Sequence, residues 1–207
     1  MFSKINIAEV NLQLHTMEPE EIIQFALHLS KNPLLTTSFG KYSACLIHAV
    51  STVKKDIAVL WCDTGYNTDA TYEHVSSLSS TYKLNLEVCS PQFTTAYINN
   101  KYGAPEFDNP NHHIISEITK VAPFQKAIKK IHPDVWLTNL RKDQNPYRES
   151  LDILSYSEEG ILKVAPFFNW SDSQILSYMN KNNLPIHVDY FDPIKASQSR
   201  ECGIHFS

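Results

Sequence analysis

A chain of 207 residues has the usual size of one domain built around a single hydrophobic core. Apolar residues make up 43% and charged residues 19% of it, which indicates a packed globular protein and argues against general disorder. The formal net charge of −4 argues against a non-specific nucleic-acid binder, whose basic footprint would dominate the count, although a few arginines could still line a pocket for an anion.

Cellular location and metal content are constrained by two absences in the sequence. No apolar run approaches the roughly 20 residues of a membrane helix, and the first residues lack a signal-peptide core, so we expect a cytoplasmic protein with reduced thiols and no membrane partner. No two cysteines have the C-x-x-C spacing of zinc or iron–sulfur ligands, so we expect no metal, no cofactor and no structural disulfide. The four cysteines are Cys45, Cys62, Cys89 and Cys202.

The first half of the chain alternates helical and strand patterns. In chain order we predict a helix over 18–30, a strand over 34–37, a helix over 42–53, a strand over 57–61, a helix over 70–84 and a strand over 86–88. Alternation of this kind predicts an α/β fold, a parallel twisted sheet with helices on both faces.

The second half is less regular. After an irregular stretch over 103–113 we predict a helix over 123–131, strands over 135–138 and 161–164, and a last helix that is capped by Ser171 and ends near Asn180. The residues after 184 show no periodicity. We therefore divide the chain into an α/β domain over 1–184 and a C-terminal tail over 185–207.

Ligands bind to parallel α/β sheets where strands end and helices begin, and two short polar segments follow the first two strands. In the segment 38–43, Gly40 permits a tight turn, and helix-start amides with the hydroxyls of Ser38 and Ser43 could hold an oxyanion. In the second segment, 63–66, Asp63 could orient a ribose, and Gly65 allows a ligand to approach the backbone. Taken alone, each fits a plain strand–helix turn about equally well.

Cationic residues mark the other two segments. Arg141, Lys142 and Arg148 follow the strand over 135–138 and suit a phosphate or sulfate, since arginine offers paired donors; the alternative is a solvated charged loop. Near the C-terminus, Arg200 and His205 flank Cys202 and could stabilise its thiolate, which Glu201 would oppose. By composition alone, an incidental free cysteine is the more frequent case.

Together these segments resemble the phosphoadenylyl sulfate reductase family, and they occur in that family's order. The matching motifs are Thr37-Ser38-Phe39-Gly40 (a modified pyrophosphate loop), Asp63-Thr64-Gly65-Tyr66, Leu140-Arg141-Lys142-Asp143-Gln144 with Arg148, Lys163-Val164-Ala165-Pro166 with Trp170, and Arg200-Glu201-Cys202-Gly203-Ile204-His205. Five matches in order are far more specific than any one of them.

The resemblance implies an adenine-nucleotide α-hydrolase-like fold and a thiol-dependent reduction in sulfate assimilation. The Cys202 thiolate would attack the sulfonate sulfur, adenosine 3′,5′-bisphosphate would leave, and thioredoxin or glutaredoxin would release sulfite from the S-sulfocysteine. Arg200 and His205 would assist Cys202. The residues expected to bind substrate are Ser38, Phe39, Gly40, Lys41, Ser43, Asp63, Thr64, Gly65, Arg141, Lys142 and Arg148.

Two departures from the family refine this expectation. The double cysteine and later C-x-x-C pair of the iron–sulfur subgroup do not occur, which favours the cluster-free branch and a 3′-phosphorylated substrate. The stretch between the last helix and the catalytic tail is also shorter than usual.

Two alternatives stay open at this point. One is an ATP pyrophosphatase, although Phe39 replaces a glycine of its S-G-G-x-D-S loop and Tyr42 replaces the aspartate. The other is a nucleotide-binding module without turnover. The sequence leaves the oligomeric state undecided, with a homodimer among the options.

Overall fold

The fold is seen in a computed structural model, which describes residues 6–144 and 146–195. Within these residues the chain forms six strands and nine α-helices. The strands are β1 (Pro33–Thr37), β2 (Ala58–Cys62), β3 (Asn85–Cys89), β4 (Val135–Leu137), β5 (Leu154–Tyr156) and β6 (Leu162–Val164). The helices are α1 (Ile7–Leu14), α2 (Pro19–Leu29), α3 (Ser43–Val53), α4 (Asp69–Tyr82), α5 (Thr95–Tyr102), α6 (His112–Ser116), α7 (Ala122–Ile131), α8 (Pro146–Glu149) and α9 (Asp172–Lys181). A π-helical turn, Glu117–Val121, joins α6 to α7.

The strands form one sheet in the order β3-β2-β1-β4-β6-β5. All neighbours are parallel except β5, which runs antiparallel to β6. Central strand β1 pairs on both sides, with Leu35 opposite Val59 of β2 and Leu137 of β4. The predicted parallel sheet is therefore confirmed, and the antiparallel edge strand is an addition to it.

Helices cover both faces of the sheet because successive residues of β1 point to opposite sides. Leu35 belongs to the larger core, which buries apolar residues of α2, α3 and α9. Leu34 belongs to a second cluster with Phe124 and Ile128 of α7 and Trp136 of β4. This two-sided burial explains why the strands read as continuous apolar runs.

Helix starts follow local capping chemistry. Ser171 caps α9 in a reciprocal capping box with Gln174, as its sequence position predicts. Glu18 and Glu21 form the equivalent pair at α2, with Pro19 in the first turn. We did not predict α1, α5 or α6, which are short.

The edge strand β5 is held by a side chain from the start of the chain. Buried Asn11 of α1 donates to the carbonyl of Leu154 at 3.1 Å and accepts from its amide at 2.9 Å. A three-residue strand anchored by a residue 143 positions away leaves no periodic signal in the sequence. No helix in the described part of the chain is long and apolar enough to cross a membrane.

Beyond α9, residues 185–195 fold back over the sheet, and we call this segment the strap. The amide of His187 donates to the carbonyl of Lys41 at 3.2 Å. Ile194 is buried against Ile98 and Ile115. The strap thus lies at the carboxyl ends of the strands, where Tyr190 and Asp192 line the cavity described below.

Candidate active site

The sheet order reverses between β1 and β4, and a cavity of about 360 Å³ opens where the carboxyl ends of these strands diverge. Its walls come from the loops after β1 and β4, the end of β2, the π-helical turn and the strap. Six of the predicted substrate-binding residues line it: Ser38, Gly40, Lys41, Ser43, Arg141 and Arg148.

Phe39 shapes the loop after β1 without lining the cavity. Its side chain is fully buried and packs edge-on against Trp61, with ring centroids 5.6 Å apart. Its backbone is left-handed, with φ of 49°, a conformation that costs a non-glycine residue roughly 1–2 kcal/mol. The buried ring offsets this strain, and it anchors a loop whose next residue, Gly40, lines the cavity.

Gly40 sits in a confined position between the loop and the strap. A Cβ atom there would lie 3.3 Å from both Ser38 Oγ and Tyr190 Cε1, which is closer than ordinary contact. Helix α3 then begins at Ser43, and its N-cap residue, Tyr42, makes no side-chain capping bond. The positive end of the α3 dipole therefore lies at the cavity wall, where it favours an anion.

The turn after β2 is organised by Asp63. Its Oδ1 accepts hydrogen bonds from the amide of Gly65 at 3.0 Å, from Asn67 Nδ2 at 2.8 Å and from the Tyr72 hydroxyl at 2.9 Å. Neither Asp63 nor Gly65 lines the cavity, nor does Thr64, whereas Asn67 does. Gly65 has φ of 77°, and a Cβ there would come within 2.8 Å of Thr95. Ligand contact by these three predicted residues stays a prediction.

Arg141 is only 4% exposed, and other residues of the same chain surround its guanidinium group. Its Nη2 lies 2.5 Å from Asp172 Oδ1, its Nη1 donates to the carbonyl of Trp170 at 3.3 Å, and its guanidinium covers the Tyr42 ring. The hydrogen bond from Arg141 holds the pKa of Asp172 below its usual range. Arg141 thus joins the loop after β4 to the start of α9 while it lines the cavity.

The other two predicted cations of this loop separate. Arg148 is half-buried and lines the cavity, whereas Lys142 is exposed and does not. Arg141, Arg148 and Lys41 therefore line the same cavity, whereas Lys142 does not contribute to its wall.

A buried ion pair that sequence reasoning missed closes another side of the cavity. Lys120 Nζ lies 2.6 Å from Asp192 Oδ2, and the two side chains are only 7% and 5% exposed. Both residues line the cavity, Lys120 from the π-helical turn and Asp192 from the strap. Their separation of 72 positions left no sequence signal.

A second missed contact holds the strap to the β1 loop. His187 is 5% exposed, and its Nδ1 lies 2.9 Å from the carbonyl oxygen of Phe39. It stacks on His74 at 4.7 Å, and His74 Nε2 lies 3.3 Å from Ser43 Oγ. Burial, and then the neighbouring His187, lowers the pKa of His74 to about 4. The His74 side chain is therefore neutral near pH 7.

The predicted catalytic residues Arg200, Cys202 and His205 lie outside the described residues. Of the described cysteines, Cys45 is buried in α3, where burial raises the pKa of its thiol. Cys62 and Cys89 are half-buried at the ends of β2 and β3.

The sheet order and the cavity at its switch point place the protein among the α/β proteins that bind a ligand at the carboxyl ends of parallel strands. The family model of the phosphoadenosine phosphosulfate reductase domain matches residues 32–192. A phosphoadenosine 5′-phosphosulfate reductase of Proteus mirabilis is 33% identical over 186 residues, which cover 89% of this chain and 76% of that protein. The chain therefore belongs to the phosphoadenosine phosphosulfate reductase family.

Solved structures confirm the fold class. The phosphoadenylyl-sulfate reductase of Candida auris superposes with a TM-score of 0.79 at 24% identity, covering 90% of each chain. The FMN adenylyltransferase of Candida glabrata reaches a TM-score of 0.61 at 14% identity, covering 90% of this chain and 60% of that one. The fold is the adenine-nucleotide α-hydrolase-like fold expected from the sequence.

Proposed function

We propose that the protein reduces 3′-phosphoadenylyl sulfate to sulfite and adenosine 3′,5′-bisphosphate, with Cys202 as the nucleophile. The observation that carries the proposal is the cavity at the sheet's switch point, which gathers cations and a helix N-terminus beneath a strap that leads to Cys202. Family membership gives the substrate class, since the named relatives are phosphoadenosine phosphosulfate reductases.

The cavity suits a nucleotide that carries several anionic groups. Lys41 and Arg148 supply charge, Ser38 and Ser43 supply hydroxyl donors, and α3 supplies its positive dipole end. The apolar wall formed by residues such as Leu46, Phe124 and Trp136 offers surface for a base. These groups together favour an adenine nucleotide with a sulfate over a smaller anion.

The strap makes the participation of Cys202 geometrically feasible. Asp192 and Ile194 fix its last described turn through the Lys120 ion pair and the contact with Ile115. Cys202 follows Lys195 by only seven positions in the sequence, and an extended chain over seven residue steps spans roughly 25 Å. The thiol can therefore reach a cavity that the strap itself lines.

The proposed chemistry proceeds in two displacement steps. The Cys202 thiolate attacks the sulfonate sulfur, the bond from sulfur to the bridging phosphate oxygen breaks, and adenosine 3′,5′-bisphosphate leaves with the electron pair. A thiolate of thioredoxin or glutaredoxin then attacks Cys202 Sγ, and sulfite leaves as the mixed disulfide forms. The partner's second thiol resolves that disulfide, which completes the two-electron reduction.

Each cationic group has a role in this scheme. Arg200 and His205 stabilise the Cys202 thiolate, while Arg141 and Arg148 offset charge on the sulfonate and the departing phosphate. The reaction needs reduced thiols, which fits a cytoplasmic enzyme, and the proposal holds for a monomer or a homodimer.

Intact mass and peptide mapping test the nucleophile. Wild-type protein given phosphoadenylyl sulfate without a reductant should gain one sulfonate group on the peptide that contains Cys202. Cys202→Ser should bind nucleotide and gain none, while the matched Cys45→Ser variant should still gain it. A sulfonate on Cys62 or Cys89 would overturn the assignment, and binding without any adduct would indicate a nucleotide-binding module.

A further inference from the structure

Two cysteines far apart in sequence become neighbours at the edge of the cavity. Cys62 is the last residue of β2, Cys89 is the last residue of β3, and the two are direct partners in the parallel register. Paired residues of adjacent strands point to the same face of the sheet. Both side chains pack against the cluster that contains Phe124 and Trp136, so the two sulfur atoms share one side.

The backbone spacing allows a covalent link. Neighbouring strands lie roughly 4.7–4.9 Å apart, and disulfides join Cα atoms that are roughly 4.4–6.8 Å apart. We propose that Cys62 and Cys89 form a reversible thiol–disulfide pair that is oxidised by a peroxide. The chemistry of this pair differs from that proposed for Cys202, because the pair carries no substrate group.

The two thiols are inequivalent, which gives the pair an attacking and a resolving member. Cys62 Sγ lies 3.7 Å from the carbonyl oxygens of both Thr119 and Lys120, acceptors that favour a protonated thiol. Its hydrogen bond to Cys89, followed by burial, raises the pKa of Cys62. The same hydrogen bond lowers the pKa of Cys89, so Cys89 is the better thiolate.

The oxidation balances with hydrogen peroxide as the oxidant. The Cys89 thiolate attacks one peroxide oxygen, the O–O bond breaks, and a sulfenic acid forms with release of one water after proton transfer. Cys62 then attacks the sulfenic sulfur and loses its proton, and a second water leaves as the S–S bond forms. A small dithiol reverses the reaction by returning two electrons and two protons.

The position of the two cysteines determines both how an oxidant reaches them and what a disulfide between them would change. Cys89, the attacking thiol, is half-buried at the end of the edge strand β3, where a small oxidant can approach it from outside the sheet, and Cys62, the resolving thiol, lines the cavity. The carbonyl of Cys89 accepts from the amide of Asp63 at 2.9 Å, so a link here ties the Asp63 turn to β3. Loss of the Cys62 thiol proton also removes a donor to the segment that carries Lys120. We expect weaker nucleotide binding after oxidation, a consequence that rests on the proposed function.

Peptide mapping tests the disulfide itself without reference to turnover. Cleavage after Lys and Arg places Cys62 in the peptide 56–83 and Cys89 in the peptide 84–101, so a disulfide joins two otherwise separate peptides. The full-length protein is treated with hydrogen peroxide, free thiols are alkylated under denaturing conditions, and the digest is analysed by mass spectrometry. The same treatment is applied to Cys202→Ser, Cys45→Ser, Cys62→Ser and Cys89→Ser.

The linked pair of peptides should appear in the wild type and in Cys202→Ser and Cys45→Ser, and a small dithiol should abolish it. It should be absent from Cys62→Ser, and Cys89→Ser should leave Cys62 available for alkylation. The proposal is overturned if Cys62 and Cys89 are both alkylated after peroxide, or if either one links to Cys202 instead. Retention of the disulfide without sulfite release in any assay would reject the proposed function and leave this pair standing.

Discussion

The buried ion pair between Lys120 and Asp192 offers the sharpest test of how the strap closes the cavity. Asp192→Asn keeps the shape of the side chain and leaves the Lys120 ammonium buried without its countercharge. Breaking one half of a buried pair costs about 3–5 kcal/mol. In a protein of this size that loss lowers the melting temperature by roughly 6–20 °C.

The structure supplies a matched control and a rescue for this experiment. Lys54 and Asp56 form an exposed pair at 3.2 Å, so Asp56→Asn should leave the melting temperature nearly unchanged. The double variant Lys120→Met with Asp192→Leu replaces the charges by apolar groups of similar size and should recover most of the loss.

The readout is urea unfolding together with differential scanning calorimetry of the four proteins. The slope of the free energy of unfolding against urea should stay constant while the midpoint falls in Asp192→Asn. If Asp192→Asn and Asp56→Asn have equal and small effects, the pair does not hold the strap. A loss in the double variant as large as that in Asp192→Asn would contradict the account, because removing both charges should relieve the cost of the unpaired Lys120 ammonium.

Three further predictions concern the loops around the cavity. Arg148→Ala should weaken the affinity for adenosine 3′,5′-bisphosphate at least ten-fold in calorimetric titration, because a charge-assisted hydrogen bond contributes about 1.5–3 kcal/mol, and unchanged affinity would place the anion elsewhere. Arg141→Ala should weaken binding and also lower thermal stability, since Asp172 loses its partner; a change in only one property would contradict the dual role. His74 stays neutral in the folded state down to about pH 4 but takes up a proton near pH 6.5 when unfolded, so stability should fall as the pH drops through that window, and this slope should shrink in His74→Asn.

Much of the sheet follows from sequence pattern alone. The strands β1, β2 and β4 are short apolar runs bounded by turn residues, and their burial on both faces explains the absence of a polar alternation. The edge strand β5 was not predicted, because three residues are too few to show a pattern and their partners, β6 and the Asn11 side chain, are tertiary contacts.

The cavity residues likewise include some that the sequence predicts and some that it does not. Polar loops at strand ends are visible in the sequence, so Ser38, Gly40 and Arg148 could be predicted from their positions. Lys120 and His187 could not, because the partners that bury them lie on segments distant in sequence. Such contacts depend on the path of the strap, which has no periodicity to reveal it.

Sulfite release is the measurement that tests the central claim most directly. Purified protein is supplied with thioredoxin and its reductant, and with either phosphoadenylyl sulfate or adenylyl sulfate, and sulfite is measured over time. We predict sulfite from the 3′-phosphorylated substrate with wild-type protein and none with Cys202→Ser, although both bind adenosine 3′,5′-bisphosphate. Sulfite at an undiminished rate from Cys202→Ser, or none from the wild type with either substrate, would contradict the account.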